Sequence, residues 1–181
     1  DATLLYFRRS DEEPITPENT NKPYGESPVS TAMGAYFNKK AYTDPTLRRK
    51  YTRMGFWVNI RLIRYPDVLL MAAESANEKG LMGEASGYLE QVRAHARGTL
   101  TNVLPKVESL DQSVLREAIR HERRVELGLE PDRFYDLVRW GIAQEVLQAA
   151  GKNYQPKNAL LPLPQTEIDK SNGVLVQNPD Y

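Results

Sequence analysis

The chain has 181 residues, with 24 Lys and Arg against 24 Asp and Glu and hence no formal net charge. Its 40% hydrophobic and 27% charged content suits a soluble globular domain or a large part of one, and lacks the basic surplus that nucleic-acid backbones require. Cysteine is absent, which excludes disulfides, thiol catalysis and thiolate metal centres, and with only His95 and His121 a metal site would rest mainly on oxygen ligands.

No apolar run approaches the roughly 20 residues that cross a bilayer. Asp1 opens the chain without a Met, a basic leader or an apolar leader, as expected of a mature or partial product. Residues 1–60 are punctuated by Pro14, Pro17, Pro23, Gly25, Pro28 and Gly34, which break any helical period and predict loops with one or two short strands. Nine of the sixteen aromatic residues nevertheless lie here, unlike a disordered tail. Flat rings on loops can stack on sugar faces while neighbouring polar groups bond hydroxyls. Tyr36, Tyr42, Tyr51 and Trp57 are the candidate ligand-binding residues on this ground, with ordinary loop packing as the alternative, and Phe37 and Phe56 are expected to point inward. The basic run Lys39, Lys40, Arg48, Arg49, Lys50 and Arg53 could attract phosphates, but such runs are more often a solvated face.

From Tyr65 the pattern changes. Leu69, Ala72, Ala73 and Ala76 recur at helical spacing up to a stop at Gly80. A second helix over 83–96 carries Ala85, Tyr88, Leu89, Val92 and Ala96, and Gly98 closes it. The 34 residues from Tyr65 to Gly98 equal one tetratricopeptide period, and a hairpin of this kind cannot bury its own apolar faces without neighbours. The neighbours are expected to be helices outside this chain or the second helical pair. Ser109-Leu110-Asp111-Gln112 fits a capping box, opening a helix to about Leu127 with Leu115, Ala118, Ile119 and Val125 apolar and Gly128 as terminator. Pro131 or Asp132 opens a further helix whose apolar face runs Phe134, Leu137, Val138, Gly141, Ile142, Val146 and Ala149, up to Gly151. From Asn153 the prolines impose an extended course, with one short helical turn over 166–169 and a surface tail anchored by leucines.

Charge clusters between Arg116 and Arg139. Glu122 falls seven residues after Leu115, on the apolar stripe, so its carboxylate must be paired. Arg133, Arg139 or an arginine of its own helix are the anticipated partners. A glycosidase would use Glu122 or Glu126 with Asp132 or Asp136 as an acid–base pair, but interleaved arginines favour a structural ion-pair network. His121 does not open an HExxH motif, because Val125 stands in the fourth following position. His95 suits a helix end. Serine elbows, Walker loops and glycine-rich dinucleotide loops are missing.

Several segments in order resemble the C-terminal part of the SusD/RagB family of outer-membrane glycan-binding lipoproteins. They are Arg61-Leu-Ile-Arg-Tyr-Pro-Asp-Val-Leu-Leu-Met-Ala-Ala-Glu74, Glu122-Arg-Arg-Val-Glu-Leu127 and Asp132-Arg-Phe-Tyr-Asp-Leu-Val-Arg-Trp-Gly141. Leu160-Leu-Pro-Leu-Pro-Gln165 and Gln177-Asn-Pro-Asp-Tyr181 complete the set. Pro66 and Glu130-Pro131-Asp132 depart from the family's usual residues, at positions where a helix start tolerates them. The resemblance implies an all-α fold of tetratricopeptide-like hairpins. Residues 1–181 would form one region of a longer protein: a loop-rich 1–60, helical hairpins over 61–150 and an extended tail over 151–181. It further implies a non-enzymatic protein without cofactor, lipid-anchored at the outer-membrane surface through a segment outside this chain. Its partners would be an oligosaccharide or polysaccharide and a TonB-dependent transporter of SusC type. The competing expectation is a tetratricopeptide-like protein-interaction scaffold with no sugar ligand.

Overall fold

A helix begins where the chain leaves an extended Arg64 and Pro66 occupies the first turn, where a missing N–H costs nothing. The computed structural model describes Leu4–Tyr6, Tyr36–Asn38, Lys40 and residues 61–181. Helix α1 spans Tyr65–Glu78. It ends in a Schellman turn: Gly80, at φ +79°, donates to the Asn77 carbonyl and Leu81 to that of Ala76. Helix α2 follows over Met82–Arg97. The hairpin is the one the 34-residue period predicts. Its seam joins Leu69, Leu70, Ala73 and Ala76 to Ala85, Leu89 and Val92. The inner stripe of α1 is turned slightly from the predicted one, so that Leu70 is fully buried while Ala72 is only half-buried.

One helix of the second pair closes this core. Helix α3, Gln112–Glu126, contributes Leu115 and Ile119 to the same cluster. Val125, expected inside, is exposed, and Leu127 is buried instead. The predicted capping box is replaced by a simpler cap. Asp111 is the N-cap and its carboxylate accepts from the backbone N–H groups of Ser113 and Val114 at 2.9 and 3.0 Å. Gln112 faces elsewhere: its amide donates to the Asn77 carbonyl at 2.7 Å, and Asn77 donates back to the Gln112 carbonyl at 3.0 Å. The connection 98–111 is strapped to α2 by Arg93 on the Pro105 carbonyl and Arg97 on the Leu104 carbonyl.

Two carboxylates of this unit titrate below their ordinary range. The Ser113 hydroxyl and the backbone donors of Val114 and Ser113 hold Asp111 down, and Arg116 beside Glu78 does the same there. A carboxyl lowered by folding adds stability that is complete above its unfolded pKa, about 4, and is lost as pH falls through the folded value. The thermal midpoint should therefore drop with acidification between about pH 5 and 2. Asp111→Asn, which keeps a capping oxygen but removes the titration, should flatten that slope in a calorimetric pH series.

Residues Glu130–Tyr181 form a separate compact unit. Where a single helix up to Gly151 is predicted, two occur: α4, Asp132–Arg139, and α5, Ala143–Ala149. Gly141, at φ +72°, breaks them with a second Schellman turn, its N–H on the Val138 carbonyl and that of Ile142 on Leu137. Leu137, Ala143 and Tyr154 make the core of this unit, with Phe134, Val138, Ile142, Val146 and Leu147 packed around them. A 3-10 turn over Pro156–Ala159 and helix α6, Gln165–Lys170, punctuate the later course. The anchors of the tail are polar rather than leucines. The Tyr181 hydroxyl donates to the Leu160 carbonyl at 2.8 Å, Asn178 to that of Leu161 at 2.6 Å, and Gln177 to that of Leu163 at 2.9 Å. Leu160, Leu161 and Leu175 are exposed.

Strands β1, Leu4–Tyr6, and β2, Tyr36–Asn38, pair antiparallel with Leu5 opposite Phe37. They are the short strands expected in the opening segment, and the fold class is all-α, as read from the sequence. Among the described residues no helix is long and apolar enough to cross a membrane, and no cluster of His, Asp and Glu could hold a metal ion.

Candidate functional site

The C-terminal end of α3 presents carbonyls that no further helical turn can satisfy, and cations suit such an end. Lys40 and Arg64 supply them. The Lys40 ammonium donates to the Glu126 carbonyl and, at 3.2 Å, to that of Gly128. Arg64 spans backbone and side chain, donating to the Glu126 carbonyl at 2.9 Å and its carboxylate at 2.8 Å. Arg61 donates to the Lys40 carbonyl. Lys40 is thus held against protein rather than forming part of a solvated basic face. The expected terminator Gly128 serves by closeness, not by φ: a Cβ there would lie 3.2 Å from the Val125 carbonyl oxygen, and the left-handed residue is Leu129, at φ +66°.

Residues 41–60, which carry Tyr42, Tyr51 and Trp57, run between Lys40 and Arg61. Those three candidates lie outside the described residues, as do Phe56 and the basic positions other than Lys40. Tyr36 opens β2, with its backbone opposite Tyr6. Tyr36 stands four residues ahead of the tethered lysine in sequence.

Three of the four carboxylates weighed for acid–base work, Glu122, Glu126 and Asp136, are engaged otherwise. Glu122 is 3% exposed and bonds Arg93 of α2 at 2.6 Å. Arg93 was not among the anticipated partners, since it lies 29 residues away on another helix. The next residue, Arg123, is 4% exposed and reaches Asp67 of α1 at 2.9 Å. Adjacent opposite charges of α3 therefore fasten it to both helices of the hairpin. Asp136 is buried and bonds Arg139 at 2.9 Å, while Glu126 belongs to the Arg64 contact. Arg139 and Arg133 lie 4.9 and 5.9 Å from the Trp140 ring centre. A carboxylate shut inside a helix seam has no access to a glycosidic oxygen. His121 is exposed, and His95 sits in the last turn of α2, where a cation favours the helix dipole.

The family description "SusD family" matches residues 10–181, nearly the whole sequence. The chain belongs to the SusD family. Two SusD-like proteins of Formosa agariphila, P25 and P2, are 39% and 36% identical over 81% and 66% of this SusD-family chain. It spans only 27% and 25% of their lengths. Crystal structures of a SusD homologue from Bacteroides thetaiotaomicron and a SusD-like protein from Bacteroides fragilis superpose with TM-scores of 0.61 and 0.54 at 30% and 29% identity. Those alignments cover 74% and 66% of this chain and 30% and 25% of theirs. The motif set quoted from the sequence identified the same family.

Proposed function

We propose that this SusD-family chain is the C-terminal part of a cell-surface glycan-binding lipoprotein. It would hold an oligosaccharide or polysaccharide for uptake by a TonB-dependent transporter of SusC type at the outer membrane, anchored by lipid elsewhere in the protein. The family match over residues 10–181 is the observation that carries this reading. The engagement of Glu122, Glu126 and Asp136 by arginines supports binding without covalent chemistry. The ligand would be met by Tyr36, Tyr42, Tyr51 and Trp57, whose rings stack on sugar faces and whose hydroxyl and indole groups bond sugar hydroxyls.

In calorimetric titrations with neutral and acidic oligosaccharides, Trp57→Ala should weaken binding by about 1 kcal/mol or more. Unchanged affinity for a glycan that the parent chain binds removes Trp57 from the site. Capture of a soluble peptide partner, with no glycan bound, would favour the protein-interaction reading instead.

A further inference from the structure

Helix α1 is apolar on two sides. Its inner stripe fills the core shared with α2 and α3. On the opposite side its exposed residues from Tyr65 to Ser75 are Tyr65, Val68, Met71 and Ser75, none of them charged. Tyr65 is 69% exposed, Val68 44% and Met71 43%, and Leu62 and Ile63 continue the apolar surface ahead of the helix. The exposed residues of α2 are Gly83, Glu84, Gly87, Gln91, Ala94 and His95, all polar or small. A helix that faces water keeps a polar side, as α2 does, whereas one that is apolar all round belongs in an interior. Single apolar residues on a surface need no explanation, but a contiguous set marks a contact.

The hairpin's own period points to the kind of contact. A unit of tetratricopeptide length stacks between neighbours. Helix α3 is one neighbour, with Leu115 and Ile119 packed on the seam of α1 and α2. The outward face of α1 is the side left for the other. The match to the Formosa agariphila relatives takes in only 27% and 25% of their lengths, so most of each relative lies outside it. We infer that the outward face of α1 is the docking surface for a helical hairpin from the part of the longer protein outside this chain, seated opposite α2 and α3. The inference rests on the reading of this chain as the C-terminal part of a longer protein, and is independent of the glycan. Its partner presents an uncharged, apolar side, and the small residues Ala72 and Ser75 let a helix approach closely.

The chain holds no cysteine, so Val68→Cys places its one thiol on this face and Gln91→Cys places it on the outer face of α2. Maleimide labelling at each position is followed by mass spectrometry in the 181-residue chain and in the longer protein, each purified alone. In the 181-residue chain the two thiols should react at similar rates. In the longer protein Val68→Cys should react at least about a hundredfold more slowly than Gln91→Cys, because a thiol under a packed helix waits for local opening. Met71→Cys, on the same face, should be slowed likewise and replaces Val68→Cys if that variant does not fold. Equal rates in the longer protein overturn the docking. Slow reaction of Val68→Cys in the 181-residue chain also overturns it, since the face is then covered by the chain's own residues or, where protection fades on dilution, by a second copy. A gene that encodes no further chain overturns the reading as a C-terminal part, and the docking with it.

Discussion

Glu122→Ala is expected to cost about 3–5 kcal/mol of unfolding free energy, because it leaves the guanidinium of Arg93 buried against α3 without its counter-charge. The pair is tight, at 2.6 Å, and both side chains are largely shielded from water, at 12% and 4% exposure. The loss comes from a stranded charge more than from a missing attraction. Replacing Glu122 by Leu and Arg93 by Met together should therefore cost much less than the single change, since no ion is then left behind. Recovery will be incomplete, as Arg93 also holds the Pro105 carbonyl. Urea unfolding reads both variants as a fall in midpoint at constant slope. Equal losses in the single and double variants would mean that the ion pair does not fasten α3 to α2.

Leu70→Ala should cost about 2–5 kcal/mol, the range for a leucine deleted from a core that collapses only partly around the cavity. Leu70 is 0% exposed and belongs to the cluster shared by α1, α2 and α3. The neighbouring inner positions Ala73, Ala76 and Ala85 are already small, which leaves little side chain able to move into the gap. Ala72→Gly on the half-buried face should cost only about 1 kcal/mol, from helix propensity. If the two changes cost the same, the core is not where the cluster places it.

Local signals carried the parts of this fold that depend on neighbours in sequence. Apolar spacing and the stop at Gly80 placed α1 and α2 to within a residue or two, and Pro66 and Pro131 sit at helix starts as their missing N–H groups demand. Gly141 falls four residues after Leu137, on the apolar period, and period alone does not distinguish a small inward residue from one at φ +72°. The run Arg139-Trp140-Gly141 ahead of Ile142 has the form of a Schellman ending, and that signal was available. Pairings across the chain were not. Burial of Glu122 was legible from its place on the stripe, but Arg93 and the Arg123–Asp67 pair connect residues 29 and 56 apart on separate helices. Likewise, nothing near Lys40 in sequence points to carbonyls 86 and 88 residues away. For the tail the sequence points to leucines, because apolar side chains are the usual anchors. Gln177, Asn178 and Tyr181 instead satisfy carbonyls that Pro162 and Pro164 leave without helical partners.

The proposed glycan-binding role of Trp57, with Glu122 as part of the frame, is tested most directly by titrating the oligosaccharide panel against the parent chain, Trp57→Ala and Glu122→Gln at a temperature where all three are folded. The glycan-binding reading requires affinity that falls with Trp57→Ala, stays level with Glu122→Gln, and leaves the sugar chemically intact. Turnover of a bound glycan that Glu122→Gln abolishes in a folded protein would contradict it.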